Sequence, residues 1–252
     1  MFDSLIANNW VPLLAAPLVG SFAGLLVVRL PAGEPVTLGR SVCRHCGEVL
    51  AARDLVPIVS WLCSGGRCRY CGALLNFLYP GIEVGALVIA LWATSAFSGW
   101  LLWASCALGW CLLTLAVFDL RYLLLPDSVT LALVVAGLAV VWAIDPESVP
   151  DHAVGVFVGF GAFAALRWIY RSLRKREGLG LGDAKLLAGA GAWVSWWGLP
   201  SVVLLGALSA LTVTLILSIV GKRMSANDEI PFGSHLCFAI WLVWLYGPLE
   251  LA

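Results

Sequence analysis

Two sets of residues in this chain have the types and the spacing to do chemistry. The first is Cys43-Arg44-His45-Cys46 with Cys68-Arg69-Tyr70-Cys71, two CxxC pairs separated by 21 residues and each followed by a glycine, Gly47 or Gly72. Four thiolates suit tetrahedral zinc, and a glycine after each pair lets the backbone turn around the metal. A four-thiolate site leaves no open coordination position, so the expected role is structural. The alternative is four free thiols in a loop. Cys63 falls outside the repeated pattern, and His45, between two ligands, reads as exposed. Cys106, Cys111 and Cys237 lie in apolar runs and read as small packing residues.

The second set is a pair of acids. Asp119 directly follows the apolar run Leu112–Phe118, and Asp183 ends Gly180-Leu181-Gly182-Asp183 and opens another apolar run. Acids at membrane depth are costly, so each is a functional candidate by default. Gly180 and Gly182 give a backbone that can bend and approach another segment closely. Two carboxylates brought together do not both ionise easily, so one keeps its proton. The ionised partner can then activate water while the protonated one polarises a carbonyl, the chemistry of an aspartic protease. The bland alternative is two helix-end acids, solvated or paired with Arg121 and Lys185. Asp127, between Pro126 and Ser128, competes for the first role but suits a helix start. Glu83 reads as a polar contact in a helix bundle. Asp145, Glu147 and Asp151, like Asp228 and Glu229, read as ordinary loop acids.

The elements that must position these groups are membrane helices. Of the 252 residues 61% are hydrophobic and 12% charged, with a mean hydropathy of +0.95, which excludes an ordinary soluble domain. The 15 basic residues balance 15 acidic ones, so nothing points to nucleic acid, and 13 Trp suit a bilayer interface. Segments of roughly 20 apolar residues can cross the hydrocarbon core. They run approximately over 10–28, 80–97, 101–118, 128–144, 153–170, 184–199, 201–220 and 236–249. Every Lys and Arg falls in the alternate connections 29–79, 119–127, 167–185 and 221–235. The positive-inside rule therefore makes that side cytoplasmic and sends both termini outward. Residues 1–9 carry Asp3 and no cation, so they lack the positive region of a cleavable signal peptide. A cytoplasmic cysteine loop stays reduced, which favours metal over disulfides. The expected class is an all-α polytopic membrane protein of about eight transmembrane helices with a small cytoplasmic four-cysteine zinc-binding loop domain. Its parts are a first helix (1–28), the cysteine loop (29–79) and a transmembrane catalytic region (80–252). No internal repeat is evident, which counts against an ion-coupled transporter.

Together these residues resemble the type IV prepilin peptidase family, including the peptidases of type II secretion. The resemblance covers nearly the whole chain: Gly20-Ser21-Phe22, Arg29-Leu30-Pro31, Pro57 to Leu62, Gly66 to Gly72, Tyr79-Pro80 with Glu83, Leu125-Pro126-Asp127, and Gly180-Leu181-Gly182-Asp183-Ala184-Lys185-Leu186, which is similar to the family's GxGD signature. It implies a GxGD-type aspartyl protease architecture in the bacterial inner membrane. It further implies cleavage of the leader from a prepilin or pseudopilin, then methylation of the new N-terminal amine with S-adenosylmethionine. By the same resemblance Asp119 and Asp183 are the catalytic pair, Cys43, Cys46, Cys68 and Cys71 the zinc ligands, and the loop with Gly66 the part tied to methylation. The chain has Gly24 where many members have Asn, which puts the second activity in question and leaves a peptidase without methylation as the alternative. No short glycine-rich fingerprint names residues for S-adenosylmethionine.

Overall fold

The computed structural model describes residues 9–36, 39–174, 180–220 and 230–249. The expectations for residues 1–8, for Asp228 and Glu229 and for the C-terminal end lie outside these. Among the described residues the chain is all-helical: α1 (Trp10–Arg29), α2 (Val59–Cys63), α3 (Leu78–Ala93), α4 (Gly99–Tyr122), α5 (Asp127–Ile144), α6 (Val149–Arg174), α7 (Leu181–Ile219) and α8 (Phe232–Tyr246). Five stretches, Trp10–Arg29, Gly99–Tyr122, Asp127–Ile144, Pro146–Leu173 and Leu181–Ile219, are long and apolar enough to cross a membrane, and α3 and α8 are shorter apolar helices. Their outward faces carry large apolar side chains such as Leu14, Leu18, Phe157, Leu211 and Ile219. Lipid, not water, is the solvent such faces require. The protein is a multi-pass membrane protein.

The chain forms two compact units, Met1–Thr114 and Leu115–Ala252. In the first, α1 packs on α3 through small residues, as membrane helices do where backbones approach closely. A Cβ on Gly20 would lie 2.6 Å from the Cα of Glu83, and one on Gly24 would lie 2.9 Å from the Tyr79 ring. Trp110 on α4 donates its indole N–H to the Ala86 carbonyl of α3 at 3.0 Å.

In the second unit, Gly155 and Gly159 form a GxxxG face on α6. Cβ atoms there would strike the backbone of α7 at Gly191 and at Leu187. α7 is one apolar stretch of 39 residues broken at Ser195, whose φ of 56° and ψ of 179° are not helical. The contacts on α8 give the direction of each half. Before the break, Gly182 and Gly233, at the starts of α7 and α8, both meet Leu125, and Trp193 stacks edge-on to Trp244; after it, Gly198 meets Val243, Gly206 meets Leu236 and Ser209 bonds His235. The chain thus runs one way to Trp193 and back again from Gly198. The sequence suggests this division at Pro200; the structure places it at Ser195 and keeps Pro200 inside the returning helix. Other boundaries shift too: α4 runs on to Tyr122 and so includes Asp119, α6 and α8 begin at Val149 and Phe232, each four residues before the expected span, and α3 ends at Ala93, four residues short.

Candidate active site and metal centre

Asp119 lies in the last turn of α4 and is 5% exposed. The helix stops where Leu123 enters the left-handed region (φ 52°) and returns its N–H to the Asp119 carbonyl at 2.9 Å. The turn that follows buries Leu125 before Pro126 starts α5. The Asp119 carboxylate reaches the start of α8, where the Ser234 backbone N–H donates to its Oδ2 at 2.6 Å. That amide belongs to the first turn of a helix, where N–H groups have no intrahelical acceptor. Gly233 leaves the room this needs: a Cβ there would lie 3.0 Å from Asp119 Cγ, 3.1 Å from its Oδ2 and 3.0 Å from Leu125 Cδ1.

Asp183, 9% exposed, occupies the first turn of α7, where the helix dipole favours an acid. Its carboxylate takes a hydrogen bond from the Gly180 amide, and it feels the charge of Asp119. Leu125 touches both flanks of the pair, since a Cβ on Gly182 would lie 3.0 Å from Leu125 Cβ. Gly182 therefore supplies the close approach expected of it but not the bend; it is an ordinary helical residue with negative φ. Each aspartate is thus anchored by one amide at a helix start. Among the described residues neither is paired with a Lys or Arg. Lys185 goes instead to Asp127, Nζ to Oδ1 at 2.6 Å, and that carboxylate is 76% exposed. Asp127 is a helix-start acid in an ion pair, not a member of the buried set. Cys237 is buried one turn beyond Gly233, near enough to both carboxylates to feel their charge.

Beside Ser234 opens a groove of about 430 Å³ lined almost wholly by apolar groups, among them Leu120, Val213, Leu217 and Ile230, with His235 at its edge. Sequence reasoning passed over Gly233, Ser234 and His235. The available signal was Pro231-Phe232-Gly233-Ser234 before an apolar run, a helix-start pattern.

The four cysteines of the first unit converge. Their sulfur atoms all lie within 4.8 Å of one another, and Cys43 Sγ is 3.9 Å from Cys71 Sγ. A tetrahedron with Zn–S arms of about 2.3 Å has edges of about 3.8 Å, so the donor set and its spacing fit zinc. The two halves are copies. Cys43 N–H to Glu48 O, Gly47 N–H to Cys43 O and Leu50 N–H to Ser41 O recur as Cys68 to Ala73, Gly72 to Cys68 and Leu75 to Gly66. Gly47 and Gly72 adopt φ of 73° and 71°, the left-handed turn that glycine permits. Amides of Cys46 and His45 directed at the Cys43 sulfur bring its thiol down to about 6. Cys71 goes the other way. Despite the Ala73 amide, burial and the neighbouring thiols of Cys68, Cys46 and Cys43 push it up to about 12. Four adjacent sulfurs resist joint ionisation, a conflict that a divalent cation removes. Cys63 and His45 are exposed and outside the cluster. Glu83 is 5% exposed and accepts the Ile58 backbone N–H on Oε2 at 2.7 Å.

Residues 14–97 match the Bacterial Peptidase A24 N-terminal domain and residues 106–215 the Type IV leader peptidase family. The chain is 33% identical over 255 residues to the "Prepilin leader peptidase/N-methyltransferase" of Aeromonas hydrophila, covering 91% of this chain and 88% of that one. The chain belongs to the type IV leader peptidase family. The Burkholderia pseudomallei (strain K96243) relative of the same name is 38% identical over 212 residues, 82% of this chain and 67% of its own. An Escherichia coli relative, "Type 4 prepilin-like proteins leader peptide-processing enzyme", is 35% identical over 240 residues, 87% of each chain. No solved structure matches. In this leader peptidase family member, the A24 N-terminal match takes in all four cysteines, and the leader peptidase match takes in both aspartates.

Proposed function

We propose that this protein cleaves the leader from type IV prepilins or type II secretion pseudopilins at the cytoplasmic face of the bacterial inner membrane, and then N-methylates the new terminus. Membership of the leader peptidase family and the names of its relatives support both activities. The observation that carries the peptidase reading is the buried, amide-anchored pair Asp119 and Asp183 beside an apolar groove. The groove suits the apolar segment of the substrate, and the pair receives the bond to be cut.

With one oxygen of each carboxylate tied to an amide, the others can hold a water between them. The ionised carboxylate takes a proton from that water as its oxygen attacks the scissile carbonyl. The protonated carboxyl donates to the developing oxyanion. Collapse breaks the C–N bond, and the amine leaves with a proton. The proton belongs to the pair and not to one member, and no covalent intermediate is needed.

Cys43, Cys46, Cys68 and Cys71 would hold a structural zinc ion that staples residues 29–79 as a loop domain between the first helix (1–28) and the peptidase region (80–252). S-adenosylmethionine, when bound, supplies an electrophilic methyl group to the freed amine. That amine has a reference pKa of about 7.7–8.0, so a useful neutral fraction exists near pH 7. Concentration of Lys and Arg on alternate connections supports a cytoplasmic catalytic face, eight crossings and periplasmic termini.

The test is cleavage of a purified prepilin by membranes carrying wild type, Asp119→Asn or Asp183→Asn, with labelled S-adenosylmethionine present. Either substitution lowers cleavage by about a thousandfold or more while the protein still inserts, and label appears in the wild-type product. Cleavage at wild-type rate by both variants would reject the pair.

A further inference from the structure

The first unit holds a cavity of about 500 Å³ between α1, the cysteine loop and the start of α3. That is within the range of about 300–1,000 Å³ typical of small-molecule sites. Its walls differ from those of the apolar groove in being both aromatic and charged. Trp61, Tyr79, Glu83, Arg29 and Arg67 all line it.

Two of these residues are placed in ways that packing alone does not explain. The Trp61 ring stands edge-on to Phe77, with centroids 5.6 Å apart. Gly66 comes close to its six-membered ring, since a Cβ there would lie 2.9 Å from Trp61 Cζ2. The indole is thus fixed in orientation, yet its buried Nε1–H has no acceptor. An orphaned buried donor calls for a partner. Glu83 is likewise buried, and its one bond among the described residues is from Ile58 N–H to Oε2. That bond holds a strained turn. Ile58 has φ 63° and ψ −54°, and Val59 N–H closes onto Pro57 O at 2.6 Å, a γ-turn that a β-branched residue adopts at a cost. The strained turn starts α2, which carries Trp61. Strain of this kind clusters at ligand sites. Glu83 therefore fixes the Trp61 helix with one oxygen and leaves the other unshared at the cavity.

We propose that this cavity is the binding site for S-adenosylmethionine, with Trp61 and Glu83 as its main protein contacts. The ligand has a flat purine, a vicinal diol, a cationic sulfonium, an ammonium group and a carboxylate. The Trp61 indole offers an aromatic face for the purine or the cation and an unused donor. The unshared oxygen of Glu83 meets the cationic or diol portion, and an arginine such as Arg29 or Arg67 meets the carboxylate. The proposal rests on the reading that this chain methylates.

The test uses the purified full-length protein in detergent. Labelled S-adenosylmethionine is photo-cross-linked to the wild type and the adduct is mapped by peptide mass spectrometry. Direct binding is then measured for wild type, Trp61→Leu and Glu83→Gln. Expected are adducts on peptides spanning 58–83 and a Kd weakened by about tenfold or more in each variant, the scale of a lost charge-assisted contact. Adducts confined to 115–252, or both variants binding as wild type does, would overturn the site; methyl transfer by the wild type would then leave the methylation reading standing. If the wild type neither binds S-adenosylmethionine nor transfers a methyl group, both fall. Should a variant fold poorly, the wild-type adduct map decides alone.

Discussion

The catalytic candidates could be found from sequence because charge is scarce in this chain: 12% charged residues leave few acids at the ends of apolar runs. What holds them could not, because it depends on an absence. Gly233 matters for the Cβ it lacks, and nothing in a sequence marks a glycine as facing a carboxylate 115 residues upstream of its neighbour Ser234. Replacing it with alanine pushes a methyl group against Asp119 Cγ at 3.0 Å and Leu125 Cδ1 at 3.0 Å. One of the two must move. The shift needed is a few tenths of an ångström, a fraction of the roughly 1 Å displacement that costs a catalytic group about a hundredfold in rate. The expected result for Gly233→Ala is cleavage reduced by about three- to tenfold, with methylation of an already cleaved pilin unchanged. Equal loss of both activities would mean that the substitution unfolds the protein. The same logic bears on Gly24, where many family members have Asn. A Cβ there would lie 2.9 Å from the Tyr79 ring, so this chain's glycine lets Tyr79 rest against α1 at the cavity wall.

Elements were legible where an apolar run ended at a charge and obscure where it did not. The run from Leu181 to Ile219 holds one conspicuous breaker, Pro200, and sequence reasoning divides it there. The structure turns at Ser195 because glycine contacts fix the path on both sides: Gly191 against Gly155 before the turn, Gly198 against Val194 and Val243 after it. Proline inside a membrane helix is tolerated when neighbours re-satisfy its backbone. Ser195 instead carries the strained conformation, φ 56°, with its Oγ accepting the Trp197 N–H at 3.2 Å. Ser195→Val should therefore destabilise the protein by about 1–3 kcal/mol, and Ser195→Gly should be neutral or stabilising. Thermal unfolding in detergent reads both. A Pro200→Ala variant more damaging than Ser195→Val would place the critical turn at the proline after all. The cysteine loop shows the converse. Its repeated CxxC-Gly pairs are plain in the sequence, but the hydrogen-bond pattern that the two halves share 25 residues apart (Cys43 to Cys68, Gly47 to Gly72) needs the backbone to be seen.

At the scale of the molecule, composition established a membrane protein, since that follows from an average over many residues, and the alternation of Lys and Arg is the ground for the proposed sidedness. Division into units at Thr114 and Leu115 was not visible, because it falls inside the uninterrupted apolar helix α4 and depends on which residues touch. On the proposed reading, that division would give the two activities separate supports. The cysteine cluster and the cavity belong to residues before 115, the aspartates and their anchoring amides to residues after it. A loop with so little buried apolar surface would depend on the proposed metal for order. Removing that metal, by a strong chelator or by Cys68→Ser, should expose residues 41–75 to rapid hydrogen exchange and reduce methyl transfer by at least about tenfold, while cleavage persists. Thiolate ligands must lose protons to bind, so the metal should also leave more readily as pH falls, and elemental analysis after dialysis at stepwise lower pH would show it. If chelation stopped cleavage as completely as methylation, the metal would support the aspartate site too, and the division of labour between the units would be wrong.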